Sequence, residues 1–119
     1  MKKINFLSKF NKFNDKWSPK VIAEMNDYQF KLAKIENEFI WHCHENTDEV
    51  FIVLEGKMGI KFEDETVELE AGEMIVVPKG KKHKPFSEKE AKIMLVEPRG
   101  VLNTGEVESE LTAENDKWI

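Results

Sequence analysis

The sequence predicts an all-β domain, a closed sandwich or barrel, with a helical or irregular arm ahead of it. Three observations carry this reading. Between residues 20 and 98, short runs of alternating apolar side chains recur at near-regular spacing, separated by Gly, Pro and Asn-Asp breaks. Several of these runs are apolar on both faces, as strands covered on both sides are. Residues 1–17 follow a different period, with aromatic side chains at helical spacing.

Phe6, Phe10, Phe13 and Trp17 fall on one face of a helix, with Leu7 alongside. Five lysines against one aspartate make this arm (residues 1–18) basic in a chain whose formal net charge is −5. A basic amphipathic segment suits a membrane surface. The simpler expectation is that its aromatics cover the outside of the domain. From residue 19 the period becomes two. Val21, Ala23 and Met25 alternate, Asn26-Asp27 turns, and Tyr28, Phe30 and Leu32 resume. Glu36-Asn37 should break the run, with a further strand from Glu38 to His44. Val50 to Leu54 follows as a strand, then Gly56 turns and Met58, Ile60 and Phe62 alternate with more polar neighbours. Val67 and Leu69 form the next strand, Ala71-Gly72 a turn, and Met74 to Val77 a continuous apolar strand ended by Pro78-Lys79-Gly80. Ser87-Glu88 reads as a turn and Lys92 to Val96 as the last strand. The barrel is expected over residues 19–100, and residues 101–119 as a polar tail whose Trp118-Ile119 end either docks or frays.

The chemistry concentrates in His42-Cys43-His44-Glu45-Asn46-Thr47-Asp48-Glu49. Alternation along a strand puts His42 and His44 on one side and Cys43 on the other. A turn at 46–48 and a return strand would bring Glu49 back beside the imidazoles, and His83 closes a second patterned stretch. Imidazole nitrogens and a carboxylate suit a divalent transition ion: Mn, Fe, Co, Ni, Cu or Zn. Cys43 between the histidines suggests a thiolate ligand. Alternation aims it away from them, so a small buried hydrophobe is the better reading.

These spacings resemble the two motifs of the cupins. His42-x-His44, four residues, Glu49, six residues, Gly56 matches the first, and Gly72, five residues, Pro78-x-Gly80, two residues, His83 matches the second. The intervening segment, 57–71, is short, as in small single-domain members, and the resemblance covers roughly residues 20–98. Two turn positions depart from the pattern, Glu36 for a glycine and Ser87 for an asparagine; neither is a ligand. The resemblance implies a cupin jelly-roll barrel with one divalent metal inside, held by His42, His44, Glu49 and His83. It also implies coordination positions left open for water, substrate or dioxygen. Such proteins include sugar isomerases and epimerases, dioxygenases and decarboxylases, and the fold does not choose among them. The sequence therefore leaves two readings: a metal-dependent enzyme on a small polar or anionic molecule, and a non-catalytic module that binds metal and small ligand.

Composition narrows the partners. A chain 40% hydrophobic and 34% charged, with net charge −5, is a folded domain and a poor match for nucleic acid. No apolar run approaches the roughly 20 residues of a membrane span, and no signal peptide is expected. A single cysteine fits the cytoplasm. Lys79, Lys81, Lys82 and Lys84 surround His83 and would draw an anion to the barrel mouth; the plainer alternative is that they blunt a sheet edge. Phe51, Ile60, Phe62, Met74 and Val76 are candidates for a pocket lining. Phe39, Trp41, Val50 and Ile52 exceed what one small interior holds, which predicts a homodimer.

Overall fold

The computed structural model describes all 119 residues. A short helix, α1 (Phe6–Phe10), precedes seven strands: β1 (Lys20–Met25), β2 (Tyr28–Glu38), β3 (Glu49–Glu55), β4 (Lys57–Lys61), β5 (Thr66–Glu70), β6 (Met74–Val77) and β7 (Lys84–Pro98). The seven strands pair antiparallel throughout, in the order β1-β2-β7-β3-β6, and β4 pairs with both β5 and the start of β7. Strand β7 therefore serves both layers of the jelly roll. Its later residues sit between β2 and β3, while Lys84, Pro85 and Phe86 lie along β4.

The inner faces of the strands enclose one core: Ala33 and Ile35 of β2, Phe51 and Val53 of β3, Met58 and Ile60 of β4, Leu69 of β5, Val77 of β6, and Ala91, Ile93 and Leu95 of β7. A second cluster lies outside the large sheet, where Phe10 and Phe13 of the arm bury Ile22, Leu32 and Met94. That is the covering role expected of the arm. Its helix is shorter than the aromatic spacing predicts, because Asn11, Asn14 and Asp15 favour turns over helix. Asn5 caps the helix start by accepting from the Ser8 N–H at 2.9 Å. The lysines hold the arm down: Lys34 donates to the Phe13 carbonyl at 2.7 Å and Lys9 to the Ile119 carbonyl at 2.8 Å. The tail docks as well. Val21 N–H donates to Lys117 at 2.8 Å and Ile119 N–H to Val21 at 3.2 Å, so residue 118 bridges β1.

Three expected boundaries differ. Glu36-Asn37 does not end a strand; β2 runs through it with a register shift between Ile35 and Asn37, and Asn37 takes a left-handed φ of 67°. Ser87-Glu88 is likewise no turn. Opposite that shift the pairing on β7 passes from Ala91 to Ser87, so residues 88–90 bulge within one long strand. Residues 39–44 form no strand at all. They are held by single contacts instead, of which the His42–His83 bridge is one.

Candidate metal centre

The ligand loop, residues 39–48, follows the start of β7 without joining its ladder. Phe39 N–H donates to Pro85 at 2.9 Å, His42 N–H to His83 at 3.0 Å and His83 N–H to His42 at 2.8 Å, while Gly80 N–H reaches His44 at 2.8 Å. These bonds deliver His42, His44 and His83 to one point inside the barrel, and β3 brings Glu49 to it from its first residue. All four side chains are buried, and their ligand atoms lie within 4.8 Å of one another. The sequence reading thus names the four residues that the fold brings together.

The donor chemistry suits a cation. His42 Nδ1 lies 2.9 Å from the Ile40 carbonyl and His83 Nδ1 2.8 Å from the Lys81 carbonyl. A carbonyl only accepts, so each Nδ1 carries the proton and each Nε2 keeps a lone pair. Those carbonyls are supports that no sequence pattern names. Glu49 Oε1 lies 3.3 Å from His44 Nε2 and 3.5 Å from His83 Nε2. All three atoms are buried without a hydrogen-bond partner. Polar atoms buried without a partner cost on the order of 1–3 kcal/mol each. A divalent ion held by His42, His44, Glu49 and His83 would relieve that cost, since imidazole nitrogens and a carboxylate oxygen are its usual ligands. Burial, then the charge of His83, lowers His42 to about 4.

Beside His42 and Glu49 lies a cavity walled chiefly by Trp17, Ile35, Phe39, Phe51, Ile93 and Leu95. Of the suggested lining residues, Phe51 belongs to it, and the Phe51 and Phe62 rings stand 6.0 and 6.3 Å from His83. Ile60 is core. Met74 and Val76 lie on the outer face, 54% and 50% exposed, because β6 turns only Val77 fully inward. Phe39 needs no outer cover; it stacks on Trp17 at 4.7 Å. Cys43 points away from the ligands as expected, but it is half-buried, not fully buried. Its thiol donates to Glu45 Oε1 at 2.9 Å, and that contact raises its pKa. Half of the lysine cluster is engaged: Lys84 pairs with Glu38 at 2.7 Å and Lys81 with Asp64 at 3.4 Å, leaving Lys79 and Lys82 exposed and without an ion pair.

Behind Glu49 the interior holds charge that the sequence reading misses. Lys31 donates to Glu97 Oε1 at 2.8 Å and to the Val101 carbonyl at 3.3 Å, with Lys31 and Glu97 3% and 1% exposed. Glu97 also touches Glu49; burial and then that neighbouring charge raise its pKa. The signal was the alternation itself. Gln29 and Lys31 occupy the inner face of β2, while Tyr28 and Phe30 face outward. A polar face was therefore turned inward.

Comparison with known proteins agrees with this architecture. A family model described as the cupin domain matches residues 28–97. The uncharacterized protein YdbB of Bacillus subtilis (strain 168) is 40% identical over 84 residues, which is 70% of this chain and 74% of that one. The crystal structure of a cupin-2 domain containing protein from Shewanella frigidimarina NCIMB 400 is 62% identical and covers 81% of this chain and 94% of its own, with a TM-score of 0.80. Protein NMB1881 from Neisseria meningitidis is 32% identical over 82% of this chain and 99% of its own, with a TM-score of 0.75.

Proposed function

The chain belongs to the cupin domain family, and we propose that it is a metal-dependent enzyme acting on a small polar or anionic molecule. His42, His44, Glu49 and His83 would hold one divalent transition ion. The observation that carries the reading is the buried convergence of three polar atoms without a hydrogen-bond partner, His44 Nε2, Glu49 Oε1 and His83 Nε2. A bound ion would supply a Lewis acid for an oxygen of the substrate, a role common to isomerase and dioxygenase chemistry. The chain's own part is to fix the imidazoles through Ile40 and Lys81, to offset ion charge with Glu49, and to keep water out with the Phe51 and Phe62 rings. The cavity beside His42 and Glu49 gives a small molecule access to the ligand set, which both this reading and a non-catalytic metal- and ligand-binding module require.

The test is metal uptake by a variant. His42→Ala should lower divalent metal affinity by about tenfold or more while far-ultraviolet circular dichroism stays that of the β-barrel. Undiminished affinity would remove His42 from the site.

The same reading includes a homodimer in the cytoplasm. Trp41, Met74 and Val76 remain 38%, 54% and 50% exposed after the arm has covered its part of the sheet, and a second copy is the commonest cover for such a surface. The unpaired thiol of Cys43 suits a reducing compartment. Light scattering at micromolar concentration should give twice the 13.9 kDa of one chain; a mass near one chain rules the dimer out.

A further inference from the structure

Trp17 is a bulky residue in the left-handed region, at φ 60°, a strained conformation that persists only where the surroundings impose it. Here they do. Its N–H donates to Lys34 at 2.9 Å, its indole Nε1 to the Glu36 carbonyl at 3.0 Å, and its own carbonyl accepts from Asn103 Nδ2 at 2.8 Å. The result places the indole against Phe39, whose ring meets His42 edge-on at 5.3 Å. An arm residue therefore forms the wall of the cavity that opens on the ligand set.

That wall offers almost no hydrogen bonds. Asn103 spends Nδ2 on Trp17 and Leu111 and Oδ1 on the Ala113 N–H. The indole N–H is committed to Glu36, and the other principal walls are Ile35, Phe39, Phe51, Ile93 and Leu95. A polyol or phosphate would bury polar groups without partners there. Size is limited as well. About 30 Å³ is open to the centres of water-sized molecules, room for about two or three waters, or a ligand body of about three or four heavy atoms. Charge completes the description. Lys31 neutralises Glu97, and a divalent ion offset by Glu49 alone leaves one unbalanced positive charge in a buried site.

Building on the proposed metal centre, we infer that the ligand is a short-chain carboxylate, a monoanion with a small apolar body, and that Trp17 sets the size limit. The carboxylate lies at the His42–Glu49 corner and the body packs against Trp17 and Phe39.

The test uses full-length protein loaded with cobalt(II), counted first by elemental analysis, and titrated with propanoate, benzoate, gluconate and inorganic phosphate while the visible cobalt spectrum is followed. Propanoate should bind at least about tenfold more tightly than the other three. Trp17→Ala should bring benzoate to within about twofold of propanoate at unchanged cobalt content, and Trp17→Phe, which preserves an aromatic packing surface, should fall between. Equal binding of all four by the wild type, or an unchanged propanoate-to-benzoate ratio in both variants, overturns the inference and leaves the metal centre standing. Failure to take up cobalt removes the metal centre and this inference with it.

Discussion

The imidazole of His42 is held down to about 4 by burial first and by neighbouring His83 second, against 6.5 in an unfolded chain. In the metal-free protein the unfolded state therefore binds the extra proton first as pH falls. Stability is full above about pH 6.5 and is lost progressively towards pH 4, an effect on the order of 3 kcal/mol. Thermal unfolding of metal-free protein should show Tm falling across that window, with the slope reduced in His42→Ala; a flat Tm in wild type would contradict the assignment. The four candidate ligands were legible in the sequence because motif spacing survives any local detail of the backbone. Lys31 and Glu97 were not. An alternating strand announces two faces without saying which is inside, and the β2 strand turns Gln29 and Lys31 inward while Tyr28 is exposed. A buried ion pair is costly to split, since removing one partner strands the other at about 3–5 kcal/mol. The pair at the back of Glu49 therefore fixes the charge of the interior.

At the scale of elements, the sequence located nearly every strand but misjudged how they end. Two-residue periods and Gly turns are local, so β1, β3, β4, β5 and β6 fall close to expectation. The bulges opposite each other in β2 and β7 depend on pairing between residues far apart, and Asn37 and Ser87 looked like terminators for that reason. The ligand loop is the sharper lesson. Residues 40–44 alternate as a strand would, yet the loop is positioned by single bonds to His83, Pro85 and Gly80, and by the tail. Gly105, at φ 63°, packs so closely on the loop that a Cβ there would run into the Cys43 carbonyl and lie 3.6 Å from His44 Nδ1. Gly105→Ala should therefore destabilise the protein by about 1–3 kcal/mol and weaken metal binding by about tenfold. Tm and metal titration of the variant check this; unchanged metal affinity would mean that the tail does not position His44.

For the molecule as a whole, both termini are part of the working barrel. The arm seals the outer sheet with Phe10 and Phe13, and sends Trp17 to the cavity. The tail closes on β1 through residues 117–119 and supplies Asn103 and Gly105 around the site. The aromatic spacing of residues 6–17 foretold the cover. Nothing in it foretold that Trp17 would leave the helical face and line the interior, because that depends on a left-handed residue ahead of Pro19. On the proposed reading of the site, four buried ligand side chains should hold a divalent ion through purification. Inductively coupled plasma mass spectrometry on protein purified without chelator or added metal tests this most directly. The account predicts about one equivalent of one divalent transition metal per chain, falling towards zero in His83→Ala. Wild-type protein free of metal that also fails to take up any on titration would contradict it.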